Sequence, residues 1–197
     1  MKPDKPVARR GDYVIAKIEH AKARQLVERY HYAKGAANTS VAAHELIRRV
    51  DGECVGAALW MPPTAGAAKG LARMHLEDSL RHREVLVLSR LVVAPGEPQN
   101  AAGMLLGASE RLIRTDSRWS LLVTYADTAE GHVGTIYRAT NWNADGETKP
   151  TTRWVEPISG RMVARLSTKS RTAQQMIDAG FVRGADSRKI RFVKVIR

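Results

Sequence analysis

One cysteine, Cys54, stands among 197 residues. A lone thiol excludes an internal disulfide framework and any zinc site built from several cysteines. Long apolar runs are missing too. Nothing approaches the ~18 residues that a membrane-spanning helix requires, and no signal-peptide pattern opens the chain. A cytoplasmic protein with no membrane partner is therefore expected. Internal repeats and low-complexity tracts are absent. Acidic residues are few: 20 Asp plus Glu face 32 Lys plus Arg, for a formal charge of +12. That balance favours a polyanionic partner, nucleic acid above all, because counterion release drives such binding. A basic surface that only aids solubility is the plainer alternative. The hydrophobic fraction of 44% suits a folded chain long enough to bury a core.

The pattern along the chain predicts a polar arm over residues 1–11 and a single domain over 12–197. Tyr13 to Ile18 reads as a strand. Ala23, Leu26, Val27 and Tyr30 mark one face of a helix ending near His31-Tyr32. Two strands follow, about 44–50 and 53–60, and Asp51-Gly52 between them predicts a type I′ hairpin turn. Residues 61–70, rich in Pro, Ala and Gly, read as a loop. Val85 to Val93 is a long apolar strand interrupted by Ser89-Arg90, and a helix follows from about Asn100 to Ile113. Short strands are expected at Trp154-Val155 and over 162–166. Ser170 is expected to cap a helix that Gly180 ends. A last strand covers 188–196.

The most informative stretch runs from Leu121 to Trp142. Leu121, Leu122 and Val123 read as a buried strand that hands Tyr125 and Asp127 to a Gly131-His132-Val133-Gly134 turn. Val133, Ile136, Tyr137 and Thr140 then recur at helical spacing. α/β proteins place ligands where a strand's carboxyl end meets a helix, and an acid, an imidazole and two phenols supply acid/base groups or metal ligands there. Asp127 is a candidate general base or metal ligand, with capping of the following helix as the plainer alternative. Ser89 is a hydroxyl in an apolar strand, costly there unless hydrogen-bonded, and Arg90 beside it suits a phosphate or a carboxylate. The element order predicts an α/β (α+β) fold of the GCN5-related N-acetyltransferase type, a central mixed and mostly antiparallel sheet flanked by helices.

Several segments fall in a telling order: His31-Tyr32, Leu88-Ser89-Arg90-Leu91-Val92, Tyr125-Ala126-Asp127, Gly131-His132-Val133-Gly134-Thr135-Ile136-Tyr137 and Asn141-Trp142. Leu166-Ser167-Thr168-Lys169 and Lys189-Ile190-Arg191-Phe192 add to them. Together they resemble the Mom family of phage DNA hypermodification proteins, over about Tyr30 to Phe192. The resemblance implies duplex DNA as substrate and adenine N6 as the modified atom. The family's product carries a carbamoylmethyl group there, which protects phage DNA from restriction in the host cytoplasm. The resemblance also implies a bound iron, for which His31, Asp127 and His132 are the candidate ligands.

In that setting Asp127, Ser89, Tyr137 and Tyr32 are the candidate catalytic residues. Tyr137 lies where acyltransferases of this fold place a phenol that protonates the leaving group, and Tyr32 is placed to stack on a flipped adenine. Tyr125, Arg90, Asn141 and Trp142 are candidates for substrate binding. The stretch Gln99–Leu105 departs from the glycine-rich pyrophosphate loop of coenzyme A enzymes, keeping one glycine of two. Asn100 and Gly103 remain its candidate cofactor contacts, through amides at a helix start. The donor is then either acetyl-CoA or an activated glycine such as glycyl-tRNA. An acetyl-CoA-dependent N-acyltransferase acting on a peptide or small amine is the alternative activity. A basic DNA-binding protein without catalysis is the third.

Overall fold

A computed structural model describes residues 7–32, 35–36, 38–160, 162–164 and 171–197. The first half of the arm, the Leu166–Lys169 segment and the Ser170 cap lie outside the described residues. The chain divides into two units. The first comprises Met1–Tyr125, Thr135–Ala144 and Phe192–Arg197, and the second Ala126–Gly134 and Asp145–Arg191. Among the described residues no helix is long and apolar enough to cross a membrane.

The chain opens with β1 (Tyr13–Lys17), α1 (His20–Tyr30), β2 (Ala42–Arg48) and β3 (Cys54–Met61). It continues through α2 (Ala65–His75), β4 (Val85–Val93), α3 (Ala101–Arg114) and β5 (Leu121–Asp127). Then come α4 (Thr135–Ala139) and β6 (Asn143–Glu147), and after the second unit's own elements β10 (Lys189–Val195). The sheet order is β1-β2-β3-β4-β5-β10-β6. β1 to β4 pair antiparallel, and β4 pairs with β5 in parallel. That mixed, mostly antiparallel sheet is the one expected.

Strand alternation sends successive side chains to opposite faces, and each face receives its own helices. Ala23 and Val27 of α1 cover Ala43, Ala57, Leu59 and Val92. Leu71 and Ala72 of α2 cover Val85, Leu121 and Val123. On the other face α3 brings Ser109 to the buried His44 and Trp60. His44 Nδ1 lies 2.6 Å from Ser109 Oγ, and the Trp60 indole N–H donates to the same oxygen at 2.7 Å. Burial, and secondarily the charge of Lys17, lower the His44 pKa from 6.5 to about 4.

Three local expectations are corrected. The expected 61–70 loop contains the first part of α2, whose buried positions Ala68, Leu71 and Ala72 keep helical spacing; two of the three are alanines, too small to register as an apolar face. The Asp51-Gly52 turn is not type I′. Gly52 has φ +71° while Asp51 is not among the residues with positive φ, and Gly52 N–H bonds to the Arg48 carbonyl at 2.8 Å in a wider turn. The arm's described end is anchored rather than loose, because Ala8 is buried and paired with Asn100.

The second unit holds β7 (Thr151–Val155), β8 (Met162–Ala164), α5 (Ala173–Asp178) and β9 (Val182–Ser187). β7 is the middle strand of a three-stranded sheet, between β8 and β9. Trp154, Val163 and Met176 form its core, with Phe181 packed against them. Thr172 caps α5 by accepting from the Gln175 N–H, and Gly180 follows the helix at φ +79°.

Candidate active site

The parallel pairing of β4 with β5 covers only Val85–Val87 against Leu121–Val123. Beyond it the two strands part, and a side chain takes over from the ladder: the buried Thr124 hydroxyl donates to the Leu88 carbonyl at 3.2 Å. The parting of two parallel strands leaves backbone groups free to meet a ligand.

Tyr137 of α4 stands on the α3 side of this opening. Its phenol is hydrogen-bonded with the Thr124 hydroxyl, and burial raises its pKa against that bond. The phenol therefore stays protonated at neutral pH and is competent as a proton donor. Its ring is fixed by Phe192 at 5.2 Å and Trp142 at 6.0 Å between centroids. Trp142 is itself buried. It donates its indole N–H to Glu110 at 2.6 Å, and Lys194 Nζ binds the other oxygen of that carboxylate at 2.6 Å. Trp142, expected to bind substrate, thus belongs to the core that holds Tyr137, and its indole is not open to a ligand. Asn141 is exposed at φ +62° and follows α4 as its left-handed cap residue.

A bulge sets the other side. Leu59 pairs with Arg90 and Trp60 with Leu88, so Ser89 is the extra residue of β4. Its hydroxyl donates to the Leu59 carbonyl at 3.0 Å, which satisfies the hydroxyl and gives Ser89 a structural task. The bulge keeps Arg90 on the same face as Val87, the α1 and α2 face. There the Arg90 guanidinium donates from Nε to the Gly35 carbonyl at 2.7 Å and from Nη1 to the Ser89 carbonyl at 2.6 Å. Burial lowers its pKa, opposed by the nearby Tyr32 phenol. Tyr32 is exposed, its ring 4.3 Å from that of His31. Tyr125 packs against the α2 core, partly buried.

Asp127 and His132 lie in the second unit, His31 and Tyr32 in the first. Asp127 is buried and fully engaged. One oxygen accepts from Arg153 at 2.6 Å and faces Lys189 at 3.3 Å, and the other accepts the Ala129 N–H at 3.2 Å. That is the capping role, reinforced by two cations. Arg153 also donates to Ser187 and reaches Glu130. His132 is exposed, its backbone N–H bonded to the Asp127 carbonyl. Among the described residues no three His, Cys, Asp or Glu side chains gather as a metal would need. With its carboxylate turned to two cations, Asp127 does not fit an iron ligand as it stands.

The Asn100 side-chain amide accepts from Ala8 N–H at 2.7 Å and donates to the Ala8 carbonyl at 2.9 Å, so it holds the arm instead of capping α3. Gly103 is open: a Cβ there would meet only the Thr140 methyl, at 3.9 Å. The residues that sequence reasoning missed are Thr124, Arg153 and Lys189. Thr124 carried the same signal as Ser89, a hydroxyl inside an apolar strand. Arg153 carried none, and Lys189, although it opens one of the family segments, had nothing there to pair it with Asp127, since only the fold brings the two cations to that carboxylate.

The sequence pattern of the Mom protein family matches residues 12–196. The chain belongs to the Mom protein family. No curated protein matches it in sequence. Several acetyltransferases are among the solved structures that match. An IAA acetyltransferase from Bacillus cereus has TM-score 0.55 at 9% identity, over 93% of this chain and 99% of that one. The ribosomal-protein-S18-alanine N-acetyltransferase from Escherichia coli has TM-score 0.52 at 11% identity, over 93% and 94%. A spermidine N-acetyltransferase from Vibrio cholerae, in complex with CoA and spermine, has TM-score 0.53 at 8% identity, over 94% and 96%. At such identities the likeness establishes the fold, which in this Mom protein is that of the GCN5-related N-acetyltransferases.

Proposed function

We propose that this chain is a DNA-modifying transferase that converts adenine N6 in duplex DNA to N6-carbamoylmethyl-adenine and so protects phage DNA from host restriction. The observation that carries this reading is the Mom family match over nearly the whole chain. The net charge of +12 supports a polyanionic substrate. The opening between β4 and β5 is where the chemistry belongs. An adenine inside a duplex must leave the stack to reach it, and the exposed Tyr32 beside Arg90 offers a ring for the flipped base.

An acyl-transfer fold supports the following order of steps. Adenine N6 attacks the carbonyl of an activated glycine such as glycyl-tRNA, the N6–C bond forms and the ester C–O bond breaks. Tyr137 gives its proton to the departing oxygen, and N6 loses one to water. The free glycyl amine then attacks adenine C6 through a five-membered transition state and expels the original nitrogen as the terminal amide. The product is carbamoylmethyl-adenine, reached without an oxidant. Asp127 supports the strand end through Arg153 and Lys189.

The test is expression in bacteria, digestion of plasmid DNA to nucleosides and mass spectrometry. A deoxyadenosine heavier by C2H3NO is expected. Feeding nitrogen-15 glycine should place the label on the nitrogen bonded to C6; label only in the terminal amide contradicts the glycyl route. The second reading, an acetyl-CoA-dependent N-acyltransferase on a peptide or small amine, is favoured by the CoA-bound neighbour. Unmodified DNA together with tight CoA binding would select it.

A further inference from the structure

A pocket of about 240 Å³ lies between the end of β1, the start of β2 and the C-terminal end of α3. In the sheet order β3 separates these two strands from the β4–β5 opening. Lys17 and His44 both line the pocket. They are direct partners in the antiparallel ladder, so their side chains leave the same face of the sheet. Ile18, Val41 and Leu112 give it apolar wall. Asp116 lines it too, but its carboxylate is already held by Arg118 at 2.6 Å.

His44 is 2% exposed, and its hydrogen bonds fix where the ring carries its hydrogen. The Trp60 indole can only donate, so the Ser109 oxygen accepts from it. Ser109 has its own hydrogen left to give, and among the described residues His44 Nδ1 is the one acceptor its hydroxyl meets. A neutral ring that accepts at Nδ1 carries its hydrogen on Nε2. Among the described residues Nε2 has no hydrogen-bond partner. A buried N–H donor is thus left at the pocket. Lys17, with no carboxylate partner among the described residues, adds an ammonium near enough for the imidazole to feel its charge. Both groups donate and neither accepts, so the ligand they suit is an anion with two acceptor oxygens.

We propose that this pocket binds a small carboxylate, its oxygens shared between His44 Nε2–H and the Lys17 ammonium and its apolar body against Ile18 and Leu112. A phosphate brings three oxygens to two donors and fits less well. The site is independent of the DNA-modification reading.

NMR of the full chain labelled with nitrogen-15 histidine tests it, with His44→Gln identifying the His44 signals and sodium benzoate as the probe. Without benzoate the ring should show the neutral form protonated at Nε2; protonation at Nδ1 overturns the proposal. Benzoate added at constant ionic strength should shift the Nε2 signal saturably. Lys17→Ala, a change at an exposed side chain, should weaken binding about tenfold, the worth of a hydrogen bond to a charged group. Lys69→Ala, on the exposed side of α2 and outside the pocket lining, should leave it unchanged. Any of four results overturns the carboxylate site: no saturable shift, wild-type affinity in Lys17→Ala, an equal loss in both lysine variants, or inorganic phosphate competing as well as benzoate.

Discussion

In the proposed reaction Tyr137 is the proton donor. Its phenol is kept protonated by burial and aimed at Thr124 in the strand opening. Replacing it by Phe removes one hydroxyl and leaves the ring packing with Phe192 and Trp142 intact. Tyr137→Phe should lower the modification rate by about 10²-fold or more, the usual worth of a positioned acid, with little change in melting temperature. Asp127 behaves differently. Asp127→Ala leaves Arg153, whose side chain is 11% exposed, beside Lys189 with only Glu130, at 3.4 Å, as counter-charge. Removing one partner of such a pair costs about 3 kcal/mol, so a fall in melting temperature should accompany any lost activity. His44 gives a pH signature. Its pKa falls from 6.5 to about 4 on folding, so its contribution is complete above pH 6.5. It is lost as the pH drops toward 4, where the unfolded chain takes up a proton and the folded one does not. The loss is about 3 kcal/mol. Urea melts at pH 7 and pH 4.5 should show a smaller difference in His44→Gln than in the wild type.

Among the elements, β4 carries the most information. The bulge at Ser89 turns Arg90 to the face of α1, where it ties the loop after that helix through the Gly35 carbonyl. Ser89→Ala removes one hydrogen bond, costs about 1 kcal/mol and should leave activity near normal. Deleting Ser89 makes Leu88 and Arg90 successive partners of Trp60 and Leu59, which keeps Arg90 on the α1 face, so the variant should fold with a regular ladder in place of the bulge. The interruption of an apolar strand by Ser89-Arg90 was legible in the sequence, but its cause was not. A hydroxyl out of place reads the same whether it serves a substrate or a bulge. α1, α3 and β5 were legible because each carries a full apolar stripe or run. β6 was not: Asn143–Glu147 is polar on both sides and half-buried only at Asp145, which Arg191 holds at 2.6 Å. No periodicity announces a strand held by such a long-range pair.

At the scale of the molecule, sheet class and family were both readable from the order of elements and motifs. The grouping of the chemistry was less so. His31, Asp127 and His132 look like a ligand set in the sequence because each is a donor near a predicted helix end. The structure commits Asp127 to Arg153 and Lys189, two cations far from it in sequence. Likewise the excess of basic residues announces a polyanion without saying which arginines are spent on carboxylates and which remain for a ligand. In the proposed function the opening between β4 and β5 modifies adenine with Tyr137 as its acid. The most direct measurement compares nucleosides from plasmid DNA in cells making equal amounts of folded wild type and Tyr137→Phe. A deoxyadenosine carrying the added C2H3NO, abundant with wild type and nearly lost with Tyr137→Phe, is the result predicted. Equal modification by both proteins would contradict it.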